Sequence, residues 1–353
     1  MSKVVELRPQ PGPQEMFLAT KADICIYGGA AGGGKTYGLL LDALRHKNRP
    51  GFGEVIFRKN SIQIYNEGGL LDESLRMYSG IKGAELKRSP RPQWTFNGKG
   101  KVSFAHIDGD DDLKKFQGSQ MAAIGFDELT HFTESQFFYM LSRNRTTCGI
   151  KPYVRATCNP DADSWVAKFI EWWIDPDTGY PIKERSGKIR WMIRRNETLY
   201  WADTIEELWE RFELKTQEEK QEPKSVTFIM STLYDNQILM KQDPSYISNL
   251  KALSVVERER LLYGNWKIKP AAGLYFKRSQ IGQMLTMIPN DVVRWVRAWD
   301  LAATAEGEAC EAETVGRSGT DEQWGKEANL PTLLVSLWVN ERMVGILWLM
   351  SST

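Results

Sequence analysis

The most specific chemical signal in the sequence is a glycine-rich segment that runs from Gly29 to Thr36. Its letters, GAAGGGKT, fit the pattern G-x-x-x-x-G-K-[ST] in full. Glycines let a backbone wrap a phosphate group with its N–H groups inward, and a following helix N-terminus adds positive potential. Lys35 would then reach the β- and γ-phosphates of a nucleotide, and the Thr36 hydroxyl would hold Mg²⁺. We therefore predict a nucleotide-binding loop formed by Gly29, Gly32, Gly33, Gly34, Lys35 and Thr36.

A second signal lies where the apolar run Ala122–Phe126 ends in two acidic residues. Asp127 is predicted to bind Mg²⁺ directly or through a water molecule. Glu128 is predicted to orient or deprotonate the water that attacks the γ-phosphate. This pattern is weak evidence by itself, because strands often end in acids. It becomes strong evidence for a nucleotide site when it occurs together with the glycine-rich loop. The alternative is a helix start at which Asp127 is a capping residue.

A third polar strand end comes at Thr157, Cys158 and Asn159. Ligands of parallel α/β sheets bind at the carboxyl ends of the strands, so Thr157 or Asn159 is placed to sense the γ-phosphate. A turn at Asn159-Pro160 without a chemical role is the alternative.

Arginines can stabilise the transition state of phosphoryl transfer from the same or a neighbouring subunit, although each is more often a surface charge or an ion-pair partner. The candidates are Arg58, Arg143 and Arg145.

Short buried strands and helical segments must position these groups, and the two kinds of element alternate along the chain. This alternation predicts an α/β fold with a mostly parallel sheet. The predicted strands are Asp23–Tyr27, Glu54–Phe57, Ala122–Phe126 and Tyr153–Thr157, with a hairpin around Asn97-Gly98. Predicted helical segments are Thr36–His46, Ile62–Tyr78, Glu134–Asn144, Glu206–Lys224 and Asp243–Asn265. The alternative for Gly29–Thr36 is a glycine-rich turn with a chance Lys-Thr pair, which the predicted position between a strand and a helix disfavours.

Composition limits the function classes. The 353 residues have room for about two domains at roughly 150 residues each. Lysine and arginine total 46 against 45 acids, which excludes a basic field over the whole protein, so nucleic acid would need a local patch. Four cysteines and three histidines without zinc-site spacing indicate a reduced, cytoplasmic protein. We see no signal peptide and no membrane span in the sequence.

These motifs together resemble those of the large subunit of the tailed-bacteriophage terminase, the motor that packages DNA into procapsids. The resemblance covers about residues 8–305 and lies in the order as well as the type of the motifs. Gln14, in Pro13–Phe17, resembles the family's adenine-contacting residue, and Phe57-Arg58-Lys59 resembles its arginine-bearing segment. Further matching segments are Phe116–Gly118, Ile124–Leu129, Thr157–Pro160, Asp235-Asn236, Asp243–Tyr246, Gly264–Trp266 and Arg297–Thr304.

The resemblance implies an ATP-hydrolysing subunit that uses ATP and Mg²⁺ to translocate double-stranded viral DNA. It further implies a homo-oligomeric ring, with a portal protein and a small terminase subunit as partners. Lys35, Glu128 and Arg58 would be the catalytic residues, while Thr157, Cys158 and Asn159 would couple hydrolysis to motion. The expected domains are a P-loop ATPase core at 1–165, the rest of that domain with a small lid at 166–270, a linker at 271–290 and a truncated nuclease-like segment at 291–353.

The sequence departs from the family pattern after Thr304. The family nuclease has an RNase-H-like fold with several metal-binding carboxylates, and here only Asp300 falls on the motif, as a residual metal ligand. We therefore expect an incomplete RNase-H-like segment without nuclease activity, and a shifted reading frame over Leu333–Met350 is one explanation. Two other functions stay open: another P-loop nucleic-acid ATPase such as a helicase, and an inactive prophage remnant that binds ATP without packaging.

A DNA-binding patch would need clustered basic residues, and the sequence offers two such clusters. The alternative for both clusters is solvated surface. The first cluster contains Lys87, Arg88 and Arg91, and the second contains Lys188, Arg190, Arg194 and Arg195.

Overall fold

The structure, a computed structural model, describes residues 6–269, 294–298, 333–339 and 342–349. The chain divides into two compact units, residues 1–269 and 270–353. The strands of the first unit are β1 (Ile24–Gly29), β2 (Gly53–Arg58), β3 (Ala84–Lys87), β4 (Gln93–Phe96), β5 (Gly100–His106), β6 (Ala123–Asp127), β7 (Tyr153–Cys158), β8 (Ile189–Arg195), β9 (Thr198–Ala202) and β10 (Lys224–Ser231). The helices are α1 (Pro13–Ala19), α2 (Lys35–Ala43), α3 (Ile62–Tyr65), α4 (Leu70–Tyr78), α5 (Glu134–Leu141), α6 (Trp165–Phe169), α7 (Ile205–Arg211), α8 (Gln237–Gln242), α9 (Tyr246–Lys251) and α10 (Val255–Leu261).

All ten strands of this unit form one sheet, in the order β3-β4-β5-β2-β6-β7-β1-β10-β8-β9. The strands from β5 to β10 in that order pair in parallel, whereas the pairs at both edges are antiparallel. The predicted α/β fold with a mostly parallel sheet flanked by helices is therefore confirmed. Since the carboxyl ends of β1, β2, β6, β7 and β10 lie at one edge, residues far apart in sequence meet there.

The central strands form because they are apolar and covered on both faces. β1 and β7 are buried along their full length, as expected for parallel strands between two layers of helices. One core cluster includes Ile26, Phe126 and Phe228, and a second includes Tyr27 and Leu39. Neighbouring residues of β1 thus pack into different clusters, which follows from the alternation of side chains along a strand.

Four strands of the first unit, β3, β8, β9 and β10, were not predicted from the sequence, and one predicted helix is largely wrong. The segment Glu206–Lys224 is helical only within α7 and in one short turn at Glu219–Gln221. Glu213 follows the helix with a φ of 51°, which stops further helical turns. β10 begins at Lys224 and is buried against β1, while β8 and β9 extend the sheet beyond it. The hairpin at Asn97-Gly98 is present as β4 and β5.

The second unit contains β11 (Arg294–Ala298), β12 (Leu333–Val339) and β13 (Arg342–Leu349), paired antiparallel in that order. The predicted linker at 271–290 and Asp300 lie outside the described residues. Among the helices described, none has the length and apolar character needed to cross a membrane.

Candidate nucleotide-binding site

The glycine-rich segment forms a loop at the carboxyl edge of the sheet, between the end of β1 and the start of α2. Gly32 and Gly34 have φ values of 75° and 72°, in the left-handed region that favours glycine. Gly29 also has a positive φ, and a side chain there would collide with the Ser231 carbonyl oxygen of β10. The predicted placement of this loop after a strand and before a helix is present in the structure.

Lys35 lies inside the loop that it follows. Its ammonium donates hydrogen bonds to the carbonyl oxygens of Ala30 at 2.6 Å and Gly29 at 3.2 Å, and to Asn159 Oδ1 at 3.0 Å. The residue is only 7% exposed, and this burial lowers the pKa of its ammonium despite the nearby Glu128, Cys158 and Asp127. A nucleotide polyphosphate would supply negative charge to this buried cation.

Asp127 ends β6 and is fully buried, and three polar groups from three other elements meet on its carboxylate. Thr157 Oγ1, at the paired position on β7, donates to Oδ1 at 2.5 Å. Thr36 Oγ1, in the first turn of α2, donates to the same oxygen at 3.2 Å. Arg58, at the end of β2, places Nη2 2.6 Å from Oδ2.

The donor set around Asp127 fits Mg²⁺. Carboxylate and hydroxyl oxygens are ligands that Mg²⁺ prefers, and it commonly uses few protein ligands together with substrate phosphates. The Asp127 carboxylate and the Thr36 hydroxyl supply such oxygens at the end of the glycine-rich loop. Both can therefore hold the ion beside a bound phosphate chain.

Glu128 has an unusual backbone conformation, and Asn159 holds its carboxylate. Its φ of 63° is uncommon for a residue with a side chain, and such conformations cluster at functional sites. Asn159 donates to its carboxylate twice, from the backbone N–H at 3.0 Å and from Nδ2 at 2.9 Å. The Glu128 carboxylate is thus fixed next to the residue that also contacts Lys35.

The other predicted residues take varied places. Gln14 is 3% exposed, and its Nε2 donates to the Gly34 carbonyl oxygen at 2.8 Å, so it reaches the loop. Cys158 is buried in the apolar core, where burial raises the pKa of its thiol and keeps it neutral. Arg143 stacks over the Tyr139 ring at 5.0 Å and Arg145 is exposed, so neither is brought to Asp127.

Two residues that contact the loop, and a third that contacts its neighbours, were not assigned to the nucleotide site from the sequence. The Ser231 carbonyl oxygen accepts a hydrogen bond from the Ala30 N–H at 2.9 Å. Asn236 Nδ2 donates to the Gly32 carbonyl oxygen at 2.6 Å, and Gln10 bonds to both Gln14 and Asn236. No local pattern marks these contacts, because the residues reach the loop only through the pairing of β10 with β1. Two signals pointed to Asn236: the resemblance of Asp235-Asn236 to a family segment, and its N-cap position, where its side chain accepts from the Leu239 N–H.

The two basic clusters differ in their surroundings. Lys87, Arg88 and Arg91 are exposed and make no ion pair within the described residues. In the second cluster Arg190 pairs with Asp203 at 2.7 Å, and Arg195 pairs with Glu222. The first cluster therefore has more unpaired charge to offer to a phosphate backbone.

The fold and the site together define a P-loop α/β protein. Residues 26–283 match the family model described as terminase large subunit, T4likevirus-type, N-terminal, which covers more than half of the chain. The chain belongs to this family, and the predicted family is thereby confirmed. No curated protein matches the sequence.

The solved structures to which the chain is similar come from bacteriophages. A large terminase from a thermophilic bacteriophage has 14% identity over 97% of this chain and 69% of its own, with a TM-score of 0.47. The large terminase ATPase domain of Thermus phage P74-26 has 12% identity over 75% of this chain and 94% of its own, with a TM-score of 0.42. The N-terminal domain of the DNA packaging ATPase from bacteriophage phi29 has 14% identity over 48% and 90%, with a TM-score of 0.35.

Proposed function

We propose that this chain is an ATP-hydrolysing motor subunit that translocates double-stranded viral DNA into a procapsid. The observation that carries the proposal is the meeting of Thr36, Asp127 and Thr157 beside a glycine loop with a buried lysine. Membership in the terminase large-subunit family supports packaging as the purpose of the hydrolysis.

Each residue has a role that its position supports. The N–H groups of Gly29–Gly34 and the Lys35 ammonium bind the phosphates, and Gln14 contributes to the nucleotide site from α1. Mg²⁺, held by Thr36 and Asp127, supplies positive charge that neutralises the phosphate oxygens. Glu128 accepts a proton from the attacking water while Asn159 fixes its carboxylate.

Arg58 is the cation that pairs with Asp127. Its guanidinium is held 2.6 Å from Asp127 Oδ2 within the same chain, so it can balance the Asp127 charge directly. We propose that charge on the transferring phosphate is also stabilised by an arginine of a neighbouring subunit, for which Arg143 and Arg145 after α5 are the candidates. Such an arrangement requires a homo-oligomeric ring.

In this proposal, coupling to DNA motion begins at the carboxyl end of β7 and the residue that follows it. Thr157 contacts Asp127, and Asn159 contacts both Lys35 and Glu128, so loss of the γ-phosphate would alter the contacts of both residues. We propose that these residues, with Cys158, transmit the change to the segment 233–261 and that Lys87, Arg88 and Arg91 contact the DNA backbone. In this proposal a portal protein and a small terminase subunit are partners in the bacterial cytoplasm, and the ATPase domain extends over residues 1–270.

Displacement of a third DNA strand from a triplex tests this function, because a duplex translocase removes that strand without opening the duplex. The purified chain should displace it in the presence of ATP and Mg²⁺, and the Lys35→Ala variant should not. Separation of the two duplex strands instead would favour a helicase and contradict the proposal. Displacement that does not depend on ATP would also contradict it.

A further inference from the structure

The carbonyl groups of the glycine loop need hydrogen-bond donors, just as its N–H groups need an acceptor such as a phosphate. When successive N–H groups of a loop turn towards an anion, the carbonyl groups between them turn elsewhere and must find partners. Lys35 and the Tyr27 hydroxyl serve the carbonyl groups of Gly29, Ala30 and Gly33, and two side-chain amides serve two others. Asn236 Nδ2 donates to the Gly32 carbonyl oxygen at 2.6 Å, and Gln14 Nε2 donates to the Gly34 carbonyl oxygen at 2.8 Å.

Gln10 joins these two amides into one network. Its backbone N–H donates to Gln14 Oε1 at 2.8 Å, and its Nε2 donates to Asn236 Oδ1 at 2.8 Å. Its own Oε1 accepts from the Ile238 N–H at 3.2 Å. The N-terminal segment, the glycine loop and the start of α8 are therefore connected through Gln10, Gln14 and Asn236, which we call the amide network.

Apolar packing brings the same segment against the loop. A side-chain carbon added at Gly32 would meet Leu233, Leu239 and Tyr246 at 2.8 to 3.1 Å. The Ala31 N–H donates to the Leu261 carbonyl oxygen at 2.7 Å. The Asn236 amide therefore lies within a surface that packs on the loop through apolar side chains. Replacing that amide would leave the apolar contacts in place.

We propose that Asn236 is a positioning residue for the phosphate-binding loop and makes nucleotide affinity depend on the attachment of the N-terminal segment through Gln10. Glycine loses more conformational entropy on ordering than any other residue, so a loop of glycines gains most from being held in its binding geometry beforehand. By linkage, a nucleotide that binds the ordered loop also strengthens the attachment of Gln10. This inference rests on the proposed nucleotide-binding function of Gly29–Thr36.

The Asn236→Asp variant separates positioning from simple helix capping. Aspartate keeps the oxygen that accepts from the Leu239 N–H and from Gln10, but it puts a second oxygen where Nδ2 met the Gly32 carbonyl. Gln10→Ala removes the connection without touching the loop directly. The matched control is Ser254→Ala, which removes the cap of α10 at the Glu257 N–H and does not contact the loop.

Two measurements on the full chain test the inference: the affinity for a fluorescent ADP derivative and the amide exchange of residues 29–36 without nucleotide. Asn236→Asp should weaken ADP binding about tenfold, equivalent to about 1.4 kcal/mol, and speed exchange in the loop. Gln10→Ala should do the same to a smaller extent, and Ser254→Ala should change neither. Asn236→Asp with unchanged loop exchange and affinity, in a folded protein, would overturn the inference. A wild-type chain that fails to bind ADP overturns the proposed function instead, while exchange in the loop still reports on Asn236.

Discussion

Asn159 connects Lys35 to Glu128. Its Oδ1 accepts a hydrogen bond from the Lys35 ammonium at 3.0 Å, and its Nδ2 donates to Glu128 Oε1 at 2.9 Å. The group proposed to bind phosphate and the group proposed to activate water are therefore held by one side-chain amide. A nucleotide that draws Lys35 towards its phosphates would therefore also affect Asn159, which holds the Glu128 carboxylate.

Replacement of Asn159 by alanine should lower kcat for ATP hydrolysis far more than it raises KM. The variant keeps the backbone N–H bond to Glu128 but frees one carboxylate oxygen and removes an acceptor from Lys35. General-base catalysis contributes about 10²- to 10⁴-fold, so we expect kcat to fall about 10- to 100-fold. Steady-state kinetics measure the split, with Thr130→Ala as the control because Thr130 contacts only the Asn159 carbonyl oxygen, at 3.5 Å. An unchanged kcat would contradict a positioning role.

Removal of Arg58 should destabilise the protein most when Mg²⁺ and nucleotide are absent. Arg58→Ala leaves the fully buried Asp127 carboxylate without its counter-charge, and breaking such a pair costs about 3 kcal/mol. Mg²⁺ with ADP should restore much of the loss by supplying positive charge to Asp127. Thermal unfolding with and without Mg²⁺ and ADP measures this, and Arg58→Lys serves as the variant that keeps the charge. An equal loss of stability with and without Mg²⁺ and ADP would show that Arg58 and Mg²⁺ do not both neutralise the Asp127 carboxylate.

Much of the site could be predicted because its motifs are local. The loop at Gly29–Thr36 and the acids at Asp127 and Glu128 lie in short segments whose residue order dictates their structure. That Thr157 and Asn159 would lie at the same edge of the sheet as the loop also followed from the sequence, since parallel strands bring their carboxyl ends to one edge. The prediction depended only on both segments being strands of the same sheet.

The contacts of Asn236 with Gln10 and with the glycine loop could not be predicted, because tertiary structure alone brings these residues together. Gln10 and Asn236 are 226 positions apart, and they meet because β10 pairs in parallel with β1. β10 itself follows the highly charged run Glu206–Lys224, whose composition suggested a continuing helix. β10 was not predicted as a strand, and its pairing with β1 is a contact between segments about 200 residues apart that no local pattern marks.

Glu54 should make stability depend on pH. It is 1% exposed, and neither carboxylate oxygen has a hydrogen-bond partner in the part of the chain that the structure describes. Burial, reinforced by Asp42 and opposed by Arg155 and Arg45, raises its pKa well above the ordinary value of 4.5. A raised pKa in the folded state contributes stability that is complete below about pH 4.5 and lost as pH rises through the folded value.

The variant Glu54→Gln should therefore gain stability over the wild type at pH 7 and gain nothing at pH 4. The expected gain is at least about 1 kcal/mol, since a shift of one pKa unit corresponds to about 1.4 kcal/mol. Urea unfolding at both pH values measures it, with the exposed Glu85→Gln as the control. A gain of equal size at both pH values would show that ionisation of Glu54 is not its cause.

DNA binding should depend on the first basic cluster. Changing Lys87, Arg88 and Arg91 to alanine should lower the salt dependence of duplex binding, because each phosphate contact contributes about 0.9 to the slope of log K against log salt. The matched control changes Lys188, Arg190 and Arg195, of which Arg190 and Arg195 are already paired with acids. Binding measured by fluorescence anisotropy at several salt concentrations compares the two. A larger effect from the control triple would place the DNA on the β8 side instead.

The most direct test of the account is ATP hydrolysis by the purified chain beside its Lys35→Ala and Glu128→Gln variants, with ATP binding measured in parallel. We expect the wild type to hydrolyse ATP with Mg²⁺, Lys35→Ala to lose binding, and Glu128→Gln to bind ATP but lose hydrolysis. We expect both variants to retain the fold, which circular dichroism checks. A wild-type chain that binds no ATP, or variants that hydrolyse it at the wild-type rate, would contradict the assignment of this site.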